Sequence, residues 1–212
     1  MSDPVDWEAV FELNKNFDVE FYREMKRDEW DMTTRPTTEA DILAAIAWAI
    51  ELHAGQIRKY AGEPYIQHPI RVAYVLTNFG LPREVVAAAV LHDTMEDCGT
   101  TFEQIENRFG KTVAGLVLEV TDAAKPSDGN RAARAAINLE HLSRSSYGGA
   151  SIKLVDISDN VPSVTNGDPK FARVYVPEKL AQLEVLRHGN AALFNRAREI
   201  LEWATTEMGV GV

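Results

Sequence analysis

The chain has 212 residues, 45% of them apolar, a formal net charge of -10 and one cysteine. That content suits one sizeable core. The lone Cys98 excludes an internal disulfide and fits a reducing compartment. The negative charge, with no Lys/Arg stripe interleaved by aromatics, argues against nucleic-acid binding. The best apolar run, Ile42 to Ile50, falls well short of the ~20 residues of a membrane span. The acidic start Met1-Ser2-Asp3-Pro4-Val5-Asp6 lacks signal-peptide character, so no membrane association and a cytoplasmic location are expected.

Residues 1–36 scatter Trp7, Phe11, Phe17, Phe21, Tyr22 and Trp30 among acids. Phe17, Phe21 and Met25 at i, i+4 spacing predict a short amphipathic helix, an N-terminal extension packed on a domain spanning 37–212. Arg35-Pro36 breaks the chain, and Thr38 caps a predicted helix whose Ile42, Ile46 and Ile50 form its apolar stripe, ending near His53-Ala54-Gly55. A loop from Gln56 leads to His68 at an N-cap, with Pro69 at the first helical position. That helix should end at Gly80, and Pro82 should open the next.

The second of these helices reads Val85-Val86-Ala87-Ala88-Ala89-Val90-Leu91, apolar all round, and runs into His92-Asp93-Thr94-Met95-Glu96-Asp97. If this stretch continues as helix, His92 and Glu96 share one face and Asp93 and Asp97 the next. A single turn would then offer metal ligands and an acid/base pair. Thr101-Phe102-Glu103-Gln104 is a capping box for a short helix toward Gly110. Val113, Leu116, Val117 and Val120 mark another helix, and Ala123 to Asn130 a loop. Arg131 to Arg144 should be helical and broken by Tyr147-Gly148-Gly149. A helix over Ser151 to Asn160 should stop at Pro162, with Asp156 and Asn160 on one face. The polar stretch Val161 to Pro177 is predicted to be a long loop or lid, followed by helices over Glu178–Arg187 and Ala191–Met208. No period-2 run or repeat is present, so the chain reads as all-α.

Imidazole and carboxylate ligands together suit a mid-series divalent ion such as manganese or iron better than calcium, and the single cysteine excludes thiolate-rich zinc. His53 is expected in the core or behind the ligands, and His141 and His188 in packing or surface roles.

Four ordered stretches resemble the HD-type metal phosphohydrolases: Arg58-Lys59 with Gly62-Glu63-Pro64-Tyr65-Ile66-Gln67-His68-Pro69; Leu91 to Asp97; Val120-Thr121-Asp122; and Lys153-Leu154-Val155-Asp156 with Asn160. Within that family they look like the small alarmone hydrolases of the RelA/SpoT hydrolase-domain and metazoan SpoT homologue type. The resemblance implies an HD-domain helical bundle in which His68, His92, Asp93 and Asp156 hold one metal ion, typically Mn2+. It implies that Glu96 and Asp97 orient and deprotonate the attacking water. It also implies that Arg58, Lys59, Lys125, Asn160 and Arg173 meet a nucleotide substrate.

The expected reaction is removal of the 3′-diphosphate from guanosine tetra- or pentaphosphate. Two departures from the family pattern bear on the substrate: Val161-Pro162-Ser163-Val164 follows Asn160 where a basic residue is usual, and Ala123-Ala124-Lys125-Pro126 keeps one lysine. They leave open another nucleotide (an adenosine alarmone, NADPH or a nucleoside monophosphate) or a non-catalytic nucleotide sensor.

Overall fold

The structure, a computed structural model, describes residues 36–209; the aromatic N-terminal stretch and its predicted helix lie outside the described residues. In chain order the helices are α1 (Glu39–Leu52), α2 (Gln67–Asn78), α3 (Arg83–Leu91), α4 (Thr94–Asp97), α5 (Phe102–Phe109), α6 (Lys111–Val120), α7 (Arg131–Ser143), α8 (Tyr147–Gly167), α9 (Pro169–Val185) and α10 (Ala191–Glu207), with a 3-10 turn at Pro126–Asp128. Among the described residues there is no strand, only an isolated bridge between Ile57 and Pro64. No described helix is long and apolar enough to cross a membrane.

Two of the predicted caps form as read. Thr38 and Thr101 each accept from the backbone N–H three residues on, and Asp41 and Gln104 reach back to complete capping boxes, satisfying orphan donors at each helix start. The buried face of α1 is Ala45, Trp48 and Ala49; Ile42 and Ile46 are partly buried and Ile50 is exposed. Small residues win that face because α1 packs on α3, whose Ala87-Ala88-Ala89 lets the two backbones approach closely. Every residue of α3 from Val85 to Leu91 is buried. It lies against α1, α2 and α6, so the His-Asp pair emerges from the centre of the core.

Two breaks expected from glycine and proline are not breaks. Tyr147-Gly148-Gly149 forms the first turn of α8, capped by Ser146, whose hydroxyl accepts from the Gly149 N–H. The glycine is required by proximity: a Cβ on Gly149 would sit 2.2 Å from Oε2 of Glu119, the carboxylate that accepts from both the N–H (2.9 Å) and hydroxyl (2.7 Å) of Ser146. α8 also runs through Pro162 to Gly167. Asp168 alone separates it from α9, capping Phe171 N–H with Pro169 in the first turn, where a missing N–H costs nothing. The predicted lid over 161–177 is therefore helix. α8 is the hub, touching α2, α3, α6, α9 and α10.

Gly149→Ala should displace the Glu119 carboxylate and lower stability by about 1–3 kcal/mol, the worth of a charge-assisted cap. Urea unfolding should show a reduced midpoint at unchanged slope.

Candidate metal centre and active site

α2, the end of α3 and the middle of α8 bring His68, His92 and Asp156 together, with one ligand atom from each lying within 4.8 Å of the others. The two Nε2 atoms are 3.3 Å apart, and Asp156 Oδ1 lies 3.3 Å from that of His68 and 3.8 Å from that of His92. Both imidazoles are 1% exposed and Asp156 4%. The opposite ring nitrogens are committed: Nδ1 of His92 is 2.8 Å from the Ala89 carbonyl and Nδ1 of His68 is 2.7 Å from Asp159 Oδ2. A carbonyl and a carboxylate can only accept, so each Nδ1 carries the proton and each Nε2 presents a lone pair inward. Two lone pairs and a carboxylate facing one another out of water require a positive centre. The donor set fits a divalent cation.

In the cation-free protein a proton takes that place. Burial alone would lower the His68 pKa, but hydrogen bonds to Asp156 and Asp159 outweigh it and raise it to about 9. His92 is raised too, against its burial, by Asp93 and Asp156. Asp156 is driven well below the carboxylate range: burial opposes this, but the Lys153 ammonium, 2.9 Å from Oδ2, and the two imidazoles prevail.

The His92-Asp93 pair sits at a break between α3 and α4, not inside one helix. The Thr94 hydroxyl satisfies the Leu91 carbonyl (2.7 Å), and Asp97 N–H bonds the Asp93 carbonyl (2.9 Å), which keeps the turn of spacing between the two aspartates. Asp93 comes within 3.2 Å of His92 Nε2 and 3.5 Å of His68 Nε2. At 15% exposure it is the open side of the cluster. Its Oδ2 accepts from the Tyr65 hydroxyl at 2.8 Å. Burial and the Asp93 and Asp97 charges raise the Tyr65 pKa and keep that hydroxyl a donor. Buried His53 stacks behind Tyr65 with ring centroids 4.8 Å apart. His141 and His188 bond backbone carbonyls of Leu118 and Ser145. Beyond Asp93, Glu96 and Asp97 face solvent. Glu96 is fixed by the Asp122 N–H (2.7 Å). Desolvation, then Asp122 and Asp93, push its pKa up against the pull of Lys153.

Behind His68 lies an ionic shell that spacing alone did not single out. Asp159 receives Nδ1 of His68, Nε of Arg71 (2.7 Å) and the Arg58 guanidinium, and Arg71 also grips Glu63 at 2.6 Å. Burial would raise the Asp159 pKa, but these partners hold it well below the usual range. Arg58 is buried and bonds Asn160 Oδ1 at 2.6 Å, while Asn160 donates to Asp156. These two predicted substrate residues are thus engaged with the ligand shell itself. The signal was available: Lys153, Asp156 and Asp159-Asn160 recur every three to four residues, a polar stripe on an otherwise apolar helix.

The other predicted substrate residues are scattered. Lys59 is exposed, donating to the Tyr60 hydroxyl at 3.1 Å. Exposed Lys125 caps the 3-10 turn through its N–H to Asp128. Arg173 is not brought to the site. It lines a groove of about 260 Å³ with Thr165, Asn166, Pro169, Glu207 and Met208, beside the end of α10. The α9 residues on the metal side are Phe171, Tyr175 and Lys179, roughly a half-turn round from Arg173.

Fold and site together define an HD-domain protein, and the chain belongs to that family: the HD domain matches residues 45–160. Among individual relatives it is 38% identical over 137 residues to guanosine-3′,5′-bis(diphosphate) 3′-pyrophosphohydrolase MESH1 of Danio rerio, covering 63% of this chain and 74% of that one. It is 48% identical over 90 residues to the guanosine-3′,5′-bis(diphosphate) 3′-pyrophosphohydrolase of Aquifex aeolicus, covering 42% of this chain but only 13% of that protein. Among solved structures, a metazoan orthologue of SpoT described as hydrolysing ppGpp superposes with a TM-score of 0.70 at 30% identity. That match covers 84% of this chain and 99% of the other.

Asp159→Asn should weaken divalent-cation affinity about 10–100-fold by untying His68, read by calorimetric titration. In the cation-free protein the raised His68 pKa contributes stability that is complete below about 6.5, the ordinary value, and fades as pH rises through about 9. Thermal unfolding in chelator should therefore show a Tm that falls over that interval, while cation affinity climbs across it.

Proposed function

We propose that this chain is a metal-dependent phosphohydrolase that removes the 3′-diphosphate from guanosine tetra- and pentaphosphate and releases pyrophosphate. The observation that carries the reading is the inward-facing His68-His92-Asp156 cluster, open through Asp93 toward the carboxylates of Glu96 and Asp97. It occurs in a chain 38% identical to a protein named for that reaction and covering 74% of it.

His68, His92 and Asp156, with Asp93 on the open side, would hold one divalent cation, and we assign manganese. A cation there supplies Lewis-acid polarisation of a phosphoryl oxygen and lowers the pKa of water. The rest falls to the chain's own groups. Glu96, fixed by the Asp122 N–H, has a carboxyl pKa raised above its ordinary value by desolvation, which suits it to take the proton of the attacking water and return it to the leaving oxygen. Asp97, one residue on and close to the Tyr65 hydroxyl, orients that water. Asn160 and Arg58 hold Asp156 and His68 in place through Asp159. Exposed Lys59, next to buried Arg58 in sequence, offers an attractive charge for a polyanion on a protein of net charge -10.

Purified protein with guanosine 3′,5′-bis(diphosphate) and Mn2+ should release pyrophosphate with a rate constant of roughly 1 per second or more, and His92→Ala should abolish it. Release no greater than in that variant would overturn the proposal. Faster turnover of NADPH, an adenosine alarmone or a nucleoside monophosphate in a parallel panel would reassign the substrate.

A further inference from the structure

Phe171, Tyr175 and Lys179 recur at i, i+4 spacing along one edge of α9. Phe171 stacks on Tyr60 from the loop before α2 (6.2 Å, 17°), Tyr175 leans on Phe171 (5.6 Å, 36°), and the Lys179 ammonium lies 4.9 Å from the Tyr175 ring centroid. This cation-capped aromatic wall begins at the loop before α2 that also carries Arg58 and Tyr65. Its inner end responds to the site's charges: Tyr175 to burial and to Asp156, and Lys179 to Lys153, Asp156 and Asp122.

Two lysines meet there with different partners. Lys153 has a carboxylate oxygen of Asp156 at 2.9 Å. Lys179 donates to the neutral Gln182 Oε1 at 3.0 Å, and among the described residues no carboxylate lies in ion-pairing range of it. Burial first, and the Lys153 charge second, depress its pKa to about 8. Lys179 is half-buried, and a cation partly shielded from water without a counter-charge is one to which a ligand can supply the anion.

We infer that Lys179 contacts the substrate, receiving an oxygen of its diphosphate group, the role expected of Arg173 from the sequence. The inference rests on the hydrolase reading, which it deepens by naming a residue that selects for the diphosphate. It implies that the site's spare positive charge comes from the inner edge of α9.

Inorganic pyrophosphate, titrated calorimetrically into the full chain loaded with Mn2+, is the direct probe, alongside KM for the nucleotide and Tm. Lys179→Met should weaken pyrophosphate binding and raise KM by about 10- to 100-fold, the size of one charge-assisted hydrogen bond. Its Tm should be equal or higher, because a half-buried cation without a counter-charge has gone. Lys179→Gln serves the same test should the methionine variant misfold. Arg173→Met should bind pyrophosphate as the wild type does. Wild-type affinity in the Lys179 variants, or a Tm that drops together with affinity, overturns the assignment. Pyrophosphate binding needs no turnover, so a wild-type protein that hydrolyses no nucleotide sinks the hydrolase reading while this titration still decides Lys179.

Discussion

The structure is organised around an electrostatic demand: two imidazole lone pairs and a carboxylate oxygen are held within 4.8 Å of one another in the interior, where nothing but a positive centre reconciles them. The packing of α2, α3 and α8 imposes that demand. His68 projects from the first turn of a helix with Val72 and Leu76 fully buried behind it, His92 ends a helix buried on every side, and Asp156 sits between Val155 and Ile157. None of the three can withdraw without opening the core. Without a cation, the raised His68 pKa puts a proton in that place.

Charge is distributed unevenly around this point. Behind His68, Asp159, Arg58, Arg71 and Glu63 form a closed network in which each cation has a carboxylate, running from buried Arg58 out to half-exposed Arg71. Such partly exposed networks contribute little net stability. They fix geometry more than they hold the fold. Toward solvent the pairing is incomplete: Asp93, Glu96 and Asp97 crowd one side, and Lys179 has no carboxylate partner among the described residues. A chain that is strongly anionic overall can still draw a phosphorylated ligand into such a cleft, because near fields outweigh distant ones across a Debye length of about 8 Å.

Much of this was legible in the amino-acid order. The run Val85 to Leu91, the threonine caps and the ordered motifs fixed the all-helical architecture and the three ligands that converge. What escaped reading depended on contacts distant in sequence. Gly148-Gly149 and Pro162 have the composition of breaks, yet the first pair is set by the approach of Glu119 and the proline lies inside a helix packed on five others. Ile42, Ile46 and Ile50 have the period of a buried face, but the neighbouring alanines of α3 favour Ala45 and Ala49. Arg173 and Lys179 differ in their angle around α9, which becomes readable only once 161–177 is known to be helical. Asp159 is legible in the sequence, because its spacing from Asp156 follows the helical repeat.

The double-glycine ledge at the head of α8 has a mechanical consequence. From Gly149, locked against Glu119, to Asp156 is seven residues, about two turns or roughly 10 Å of rigid helix. The ledge thus acts as the datum from which the metal-facing carboxylate is measured. Gly149 sets the depth at which the helix seats on α6, so a bulkier side chain there would act as a shim, sliding or tilting the far end relative to two fixed imidazoles.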